Sequence, residues 1–192
     1  MTSSAPRGPY AKGIQRRQEI LDATIDVVAE KGFEGTSLRA IGEAIGVSHA
    51  ALRHYFASRE ELLLEVLRER DRKSQSRVAD EPTVFARMAA AADDNVLAPE
   101  LVALHTTMMA ASVEAGDEDA RAFFTERFAR SRAVLAADLR NELEAAGRAS
   151  DLDLEMVASL VIAAFDGLQI QWLLERSVDI AGTLRLLERI LR

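Results

Sequence analysis

The 192-residue chain has no cysteine and few aromatic side chains, which make up 5% of the residues. Without cysteine there is no disulfide framework, no thiolate zinc or iron–sulfur site and no cysteine nucleophile. The low aromatic content beside 48% apolar residues is typical of a helical globular protein rather than a β-sandwich. A chain of this length forms one domain or two small modules.

Long uncharged apolar runs are also missing from the sequence. The longest candidate, residues 156–174, is interrupted by three polar side chains, Asp166, Gln169 and Gln171. We therefore predict that the chain does not span a membrane. Residues 1–13 lack the apolar segment of a signal peptide, and their Ser, Pro and Gly content indicates a flexible arm. Both observations favour a cytoplasmic protein without a membrane partner.

The net charge of −7 is unevenly distributed along the chain. Residues 1–60 hold 8 Lys or Arg against 7 Asp or Glu, a net charge of +1, whereas residues 61–192 hold 16 against 24, a net charge of −8. An acidic chain taken as a whole argues against nucleic-acid binding, because phosphates attract Lys and Arg. The asymmetry suggests two functions on one chain, although an acidic solvated surface explains it equally well.

A helix-turn-helix pattern follows the first predicted helix, which covers residues 14–31 and stops at Gly32. Two short helices are predicted over residues 37–45 and 48–55. Between them, Gly46 suits the left-handed residue that ends one helix, and Ser48 suits the cap that opens the next. This layout predicts a helix-turn-helix, although ordinary helical hairpins share it.

In such a motif the second helix lies in the major groove of DNA and its N-terminal side chains contact base edges. Apolar residues at the right spacing for the small core of the motif are Leu38, Ile41, Ile45, Val47 and Leu52. The side chains left near the exposed face, which we predict to contact DNA, are Ser48, His49, Ala51, Arg53 and His54. The alternative for the two histidines is that they are merely solvated.

Helical signals continue to the end of the chain. Ser58 and Glu61 form a capping box that opens a long helix, and Pro82 and Pro99 each suit the first turn of a helix. Further helices are predicted up to Gly147 and over residues 152–175 and 180–191, with Ser150 as a candidate cap. No strand alternation of useful length is present. We predict an all-α fold of about nine helices.

The N-terminal residues resemble a known family. The stretch from Arg17 to Leu63, about a quarter of the chain, is similar to the N-terminal domain of TetR/AcrR-family transcriptional regulators. The matching residues are Gly32-Phe33, Thr36, Ile41, Gly46-Val47-Ser48, Leu52, Tyr55-Phe56 and Ser58-Arg59-Glu60-Glu61-Leu62. The resemblance implies an all-helical homodimer with a helix-turn-helix domain at 14–58 and an effector-binding and dimerisation domain at 59–192.

The resemblance also implies roles for single residues. Thr36 matches a phosphate-contacting position, Ser48 and His49 open the recognition helix, and Tyr55 matches an aromatic side chain near the DNA backbone. Arg59, which we also predict to contact DNA, stands where the family usually has Lys at the start of the fourth helix. The sequence departs from the family at two positions, because Ala50 replaces a common Gly and Arg53 a common Tyr. Arg53 therefore contacts either phosphate or guanine, and the operator sequence does not follow from the family.

The family resemblance implies a repressor that a small effector releases from its operator. Apolar and polar side chains on three predicted helices are candidates for a pocket that binds an apolar or aromatic effector. These candidates are His105, Met108, Met109, Phe124, Phe128, Phe165, Gln169 and Trp172. The alternative is that the Met and aromatic side chains simply fill the core.

The last two predicted helices are candidates for a homodimer interface. Small residues allow a close approach between helices, and the final helix has an apolar stripe. The candidate interface residues are Ala163, Ala164, Gly167, Ile180, Leu184 and Leu187. A twofold dimer presents two recognition helices and therefore predicts a palindromic operator in double-stranded DNA.

Enzymatic function is not supported by any motif in the sequence. The chain lacks Glu-x-x-His pairs, His-Glu-x-x-His, a Gly-x-Ser-x-Gly elbow and Gly-rich phosphate-binding loops. We therefore expect no catalytic residue, no metal and no cofactor. The alternative from another functional class is an effector-binding or protein-binding helical module that no longer contacts DNA.

Overall fold

The computed structural model describes residues 9–114, 118–148 and 151–191. Within these ranges every regular element is an α-helix, which confirms the predicted all-α fold. The nine described helices are α1 (Pro9–Gly35), α2 (Leu38–Ile45), α3 (His49–Leu52), α4 (Arg59–Arg77), α5 (Val84–Val96), α6 (Pro99–Val113), α7 (Glu118–Ala145), α8 (Leu154–Leu174) and α9 (Ile180–Leu191).

Helix α1 begins earlier than the sequence suggested. It starts at Pro9, so residues 9–13, including Lys12, are helical rather than part of an arm. Proline is well tolerated in the first turn of a helix because its missing N–H has no intrahelical partner there. Near its end α1 is kinked at Gly32, whose φ of 68° only glycine adopts readily.

The chain divides into two compact units, residues 1–70 and 71–192. The division lies within α4, between residues 70 and 71. The first half of α4 is tied to α1, since the Arg17 guanidinium pairs with the Glu65 carboxylate at 2.8 Å. In this first unit α1 packs against α2, and α2 packs against α3.

The second unit contains two hydrophobic clusters formed by helices α5 to α9. In one, Phe85 of α5 packs with Leu139 of α7 and Val161 of α8. In the other, Trp172 of α8 packs with Ile180 and Leu184 of α9 and Ala92 of α5. Helix α9 therefore completes the core of its own unit.

Several helix ends differ from the predicted ones because of local capping. Helix α5 begins at Val84 rather than Pro82, since the hydroxyl of Thr83 accepts a hydrogen bond from Ala86 N–H. Helix α8 is capped by Asp153, whose carboxylate accepts from the N–H groups of Glu155 and Met156. The predicted cap, Ser150, lies outside the described residues.

Helix α8 is long and apolar enough to cross a membrane, with a mean hydropathy of 1.6 over its most apolar window. Helices α5 and α6 pass the same test only as a pair, and they are bent by 105° at the break between them. Only 22% of the α8 window is buried within the chain. Its exposed apolar side chains, including Met156, Leu160 and Leu174, thus form a surface that the described chain leaves uncovered.

Candidate nucleic-acid interface

Helix α2 and its turn are fixed by backbone geometry. The Ser37 hydroxyl accepts a hydrogen bond from Ala40 N–H and caps the start of α2. Gly46 ends the helix with a φ of 66°, the left-handed conformation that the sequence predicted. Gly42 faces the turn so closely that a Cβ at this position would lie 2.4 Å from the Val47 carbonyl oxygen. The sequence pattern did not predict this role of Gly42, because the contact depends on the fold of the turn.

Helix α3 is the predicted recognition helix, but it is shorter than expected. The Ser48 hydroxyl accepts a hydrogen bond from Ala51 N–H and opens the helix, which covers only His49–Leu52. Beyond Leu52 the chain continues in tighter turns, as Tyr55 N–H donates to Leu52 C=O three residues back. The helical conformation predicted to Tyr55 is therefore replaced after one turn by tighter i to i+3 bonding.

Three of the five residues predicted to form the core of the motif are buried. Leu38 is 9% exposed, while Ile41 and Leu52 are fully buried. Ile45 and Val47 are only partly buried, since they lie at the end of α2 and in the turn. The small core of the motif is therefore formed by Leu38 and Ile41 of α2 and Leu52 of α3.

Several charged and polar side chains of residues 48–55, which we call the recognition segment, are open to solvent. His49, Arg53 and His54 are exposed, and within the described residues their side chains make no hydrogen bond or ion pair. Ser48 is exposed but uses its hydroxyl as the α3 cap, and Ala51 is partly buried. Tyr55 is partly buried beside them. The exposed imidazoles and guanidinium are thus free to contact a ligand.

Thr36 does not present its side chain as the resemblance implied. It is 1% exposed, and its hydroxyl donates a 2.7 Å hydrogen bond to the Gly32 carbonyl oxygen. Its N–H donates to the Phe33 carbonyl oxygen at 3.2 Å. These bonds close the turn between the kink of α1 and the start of α2. Thr36 therefore stabilises the turn instead of offering its hydroxyl to a phosphate.

Arg59 is also occupied inside the first unit. Its guanidinium donates hydrogen bonds to the carbonyl oxygens of Thr36 and Phe33. The same group lies over the Phe33 ring, with 4.3 Å between Cζ and the ring centroid. A weaker contact joins it to Glu60 at 3.4 Å. Arg59 thus fixes the start of α4 to the α1–α2 turn, a role that differs from the predicted DNA contact.

An ion pair on the exposed face of α2 adds to the electrostatics of the site. Arg39 Nε donates to the Glu43 carboxylate at 2.9 Å, one turn apart. The hydrogen bond and the charge of Arg39 lower the pKa of the Glu43 carboxyl. Because Glu43 partly neutralises Arg39, α2 adds little positive charge to the surface beside α3.

A second charge cluster holds α4 against α1. Burial of the Glu65 carboxylate by itself would raise its pKa, but hydrogen bonds and charges of Arg17 and Arg68 outweigh the burial and lower the pKa. The Arg17 guanidinium also lies 4.6 Å from the centre of the Phe56 ring. Neither Arg17 nor Glu65 was singled out as a site residue from the sequence, because their pairing spans 48 residues.

The predicted effector-binding residues lie in the second unit, and most are buried there. His105, Met108, Phe124, Gln169 and Trp172 are each 3–5% exposed. The His105 and Phe124 rings meet edge to face, with 5.5 Å between centroids. The Gln169 side chain accepts from the Asn95 amide at 2.9 Å. Met109, Phe128 and Phe165 are partly buried.

Of these eight side chains, Phe128 lines a cleft between α7 and α8 with a volume of about 250 Å³. Arg132 and Asp166 line the same cleft. Neither was among the predicted effector-binding residues, since an isolated charge on an amphipathic helix gives no signal in the sequence.

The predicted dimer residues fall into two groups. Ala163, Ala164 and Gly167 are exposed or partly exposed on α8. Ile180 and Leu184 are instead buried in their own unit, at 3% and 0% exposure, and are not available to a second chain. Leu187 is partly buried against the cluster around Val161. The apolar stripe of α9 faces inward because α5 and α8 pack on it.

Within residues 9–114, 118–148 and 151–191, no three His, Asp or Glu side chains lie close enough together to hold a metal ion.

The N-terminal part of the chain is similar in sequence to known bacterial regulatory proteins. Residues 20–66 match the family model described as bacterial regulatory proteins, tetR family. The HTH-type transcriptional regulator PksA of Bacillus subtilis (strain 168) is 41% identical over 66 residues, which are 34% of this chain and 32% of that protein. The HTH-type transcriptional repressor AcnR of Corynebacterium efficiens is 41% identical over 58 residues, 30% of this chain and 31% of the repressor. The chain thus matches about a third of the length of these relatives.

A solved structure extends the likeness to the whole fold. A transcriptional regulator from Rhodococcus sp. Rha1 superposes with a TM-score of 0.75 at 20% identity, covering 91% of this chain and 95% of that one. Because the sequence identity is only 20%, this superposition shows similarity of fold alone. The printed names of these three proteins describe transcriptional regulators or a transcriptional repressor.

The capped α2 and α3 and the close approach at Gly42 form a helix-turn-helix, and its residues lie within the match to the family of bacterial regulatory proteins. The likeness to the tetR family of bacterial regulatory proteins covers residues 20–66, about a quarter of the chain.

Proposed function

We propose that the protein is a ligand-responsive, sequence-specific transcriptional regulator that represses its target genes. The observation that carries the proposal is the exposed recognition segment, in which His49, Arg53 and His54 stand free on a capped helix-turn-helix. In such motifs the side chains at the start of the second helix contact base edges. Repression is favoured by the name of the relative AcnR, a transcriptional repressor.

We propose that the regulator acts as a homodimer on a palindromic operator. Exposed or partly exposed residues on α8 recur at steps of four and three, which places Met156, Leu160, Ala163, Gly167, Ile170 and Leu174 on one face. An exposed apolar face of this kind favours a partner helix, and Ala163 and Gly167 allow a close approach. Leu186 and Ile190 extend the exposed apolar surface on α9. Covering α8 by a second copy fits a cytoplasmic protein better than membrane insertion.

The proposed response to an effector depends on α4. At Glu65 this continuous helix is paired with Arg17 of α1, and at Asp71 it is paired with Arg127 of α7. Arg127 Nε and Nη2 lie 2.7 and 3.2 Å from the two carboxylate oxygens of Asp71. An effector that shifts α7 would thus act on α4, and a changed α4 would alter the spacing of the recognition helices.

A second candidate function is a module that binds an effector or a protein but no longer binds DNA. The observation in its favour is the net charge of only +1 over residues 1–60, with Arg39 paired to Glu43. DNA-binding surfaces are usually far more positive than this.

Selection of duplexes from random and genomic pools by the purified full-length protein tests the proposal. We expect enrichment of a palindrome that binds two copies of the chain, because a twofold dimer presents its recognition helices symmetrically. Failure of a folded dimer to enrich any sequence at low salt would contradict it and favour the second candidate.

A further inference from the structure

The cleft between α7 and α8 has the chemistry of a small-ligand site. Its volume is about 250 Å³, slightly below the usual range for sites that bind drug-sized ligands, which suits a small molecule. Among the described residues, the cleft is lined by Phe128 and Arg132 from α7 and by Ser159, Ile162, Ala163 and Asp166 from α8. The cleft lies wholly within the second unit.

Arg132 is the feature that selects the ligand. It is partly buried, and across residues 9–114, 118–148 and 151–191 it forms no hydrogen bond or ion pair. Its neighbours on α7 differ, since Arg127 pairs with Asp71 and Arg130 pairs with Glu126. A guanidinium offers a planar pair of donors that matches a carboxylate, and this pairing is strongest where water is partly excluded.

Asp166 limits the charge of the ligand. Its carboxylate accepts a hydrogen bond from Gln169 Nε2 at 3.4 Å, and it remains in the lining of the cleft. A second negative charge on the ligand would be repelled by this carboxylate. A phosphate, which carries more than one negative charge near pH 7, is therefore disfavoured relative to a single carboxylate.

The remaining lining favours an apolar body. Phe128, Ile162 and Ala163 supply ring and aliphatic surface. The Ser159 hydroxyl donates to the Glu155 carbonyl oxygen at 2.9 Å, so its proton is already used within α8. Apart from Arg132, these groups bring no further donor for an anion, so the carboxylate is expected at one end of the cleft.

We propose that the α7–α8 cleft binds a small monocarboxylate with an apolar body, and that Arg132 holds its carboxylate. This inference rests on the proposed function, because it names the chemical class of the effector. Of the lining residues, Phe128 was expected from the sequence to bind an effector, whereas Ala163 was expected at the dimer interface and marks where the cleft borders the proposed dimer face of α8.

Calorimetric titration of the full-length protein with benzoate and hexanoate tests the inference, with benzamide as a neutral probe of similar shape. We expect at least one of the two carboxylates to bind more tightly than benzamide. The Arg132→Gln variant should bind that carboxylate at least tenfold more weakly, and Arg132→Lys should show a smaller loss because it keeps the charge without the paired donors. Arg130→Gln, an exposed arginine on the same helix, is the matched control and should bind as the wild type does.

Three results would overturn the inference. The first is that neither benzoate nor hexanoate binds the wild type. The second is that Arg132→Gln binds the carboxylate as tightly as the wild type does. The third is that Arg132→Gln has a different molecular mass in solution from the wild type, which means a different oligomeric state. The last result would assign Arg132 to a contact between two copies of the chain.

Titration of the same preparations with a selected duplex separates this inference from the proposed function. If a duplex is selected and no carboxylate binds, the assignment of the cleft fails while the DNA-binding proposal stands. If a carboxylate binds through Arg132 and no duplex is selected, the cleft stands while DNA regulation fails.

Discussion

At the scale of single residues, Arg53 and Arg59 illustrate two uses of the same side chain six positions apart. Arg53 is exposed and, in the described parts of the chain, forms no hydrogen bond or ion pair through its side chain. Arg59 donates to two backbone carbonyl oxygens and lies over the Phe33 ring. Arg59 therefore stabilises the first unit, whereas the side chain of Arg53 is accessible for the DNA contact proposed above.

Replacing Arg53 by alanine should weaken binding to a selected duplex by about 5- to 150-fold if the guanidinium contacts a base. The measurement is an equilibrium titration of wild type and variant at one salt concentration. Arg130→Ala removes the same charge from an exposed site on α7 and serves as the control. Equal losses in the two variants would mean that Arg53 contributes only long-range charge.

The Arg59→Ala variant should lose about 2 kcal/mol of unfolding free energy, because two charged hydrogen bonds and a cation–π contact are removed. Urea denaturation followed by circular dichroism measures the loss. Arg39→Ala, which removes an exposed pair, should cost less than about 0.5 kcal/mol. An Arg59 variant as stable as the wild type would contradict the assigned contact.

Residue-level roles were only partly predictable from the sequence. Exposure of His49, Arg53 and His54 follows from helical periodicity, which places Leu52 inward. The internal bonds of Thr36 and Arg59 join residues 23 apart, and local pattern carries no information on such pairs. The structure gives both side chains a stabilising role in the first unit, and their contacts with DNA stay predictions.

At the scale of secondary-structure elements, the turn between α2 and α3 depends on two glycines with different functions. Gly46 adopts a left-handed conformation, and Gly42 leaves space for the Val47 carbonyl group. The C=O of Gly42 also accepts a 2.8 Å hydrogen bond from Val47 N–H. The position of α3 is thus set by close backbone contact.

A Gly42→Ala substitution should lower the unfolding free energy by about 1–3 kcal/mol, since its Cβ would force the turn to shift. Binding to a selected duplex should weaken as well, because the shift moves α3. The matched control is Gly13→Ala in α1, where a Cβ meets nothing within 4 Å. That control should gain about 0.5–1 kcal/mol from higher helix propensity. Equal stability of the two variants in urea would contradict the role of Gly42.

The Glu65 cluster predicts a dependence of stability on pH. Because Arg17 and Arg68 lower its pKa below the ordinary value of 4.5, the folded state binds the Glu65 proton less readily than the unfolded state does. Its stabilising contribution is full above that ordinary value and is lost as the pH falls through the lowered value. Glu65→Gln should therefore show a shallower fall in unfolding free energy below about pH 5.

Urea denaturation at a series of pH values checks this expectation, with Glu30→Gln as a control. Glu30 is exposed and, among the described residues, forms no ion pair. Identical pH profiles for the wild type and Glu65→Gln would show that the cluster does not couple protonation to folding.

Helix order was largely predictable, whereas helix faces were not. Gly46, Ser48 and Ser58 mark their helix ends because their backbone and side-chain preferences act locally. Ile180 and Leu184 form an apolar stripe, yet periodicity does not reveal whether a stripe packs on its own chain or on another. In the structure this stripe packs against Trp172 and Ala92 within the same unit.

At the scale of the whole molecule, the chain joins a unit that contains a helix-turn-helix to a helical unit whose α8 presents an apolar face. Residues 61–192 carry a net charge of −8, whereas residues 1–60 carry +1. Specific binding must therefore overcome repulsion between an acidic body and DNA, which base contacts from a symmetric dimer can do. A dimer also doubles the number of recognition helices available to one operator.

The most direct test of sequence-specific DNA binding is a titration of the full-length protein with a selected duplex and a random duplex at rising salt. We predict that the selected duplex binds at least about 10³-fold more tightly and that its affinity falls steeply as salt increases. Equal affinity for the two duplexes, or an affinity independent of salt, would contradict the account and favour the module that no longer binds DNA.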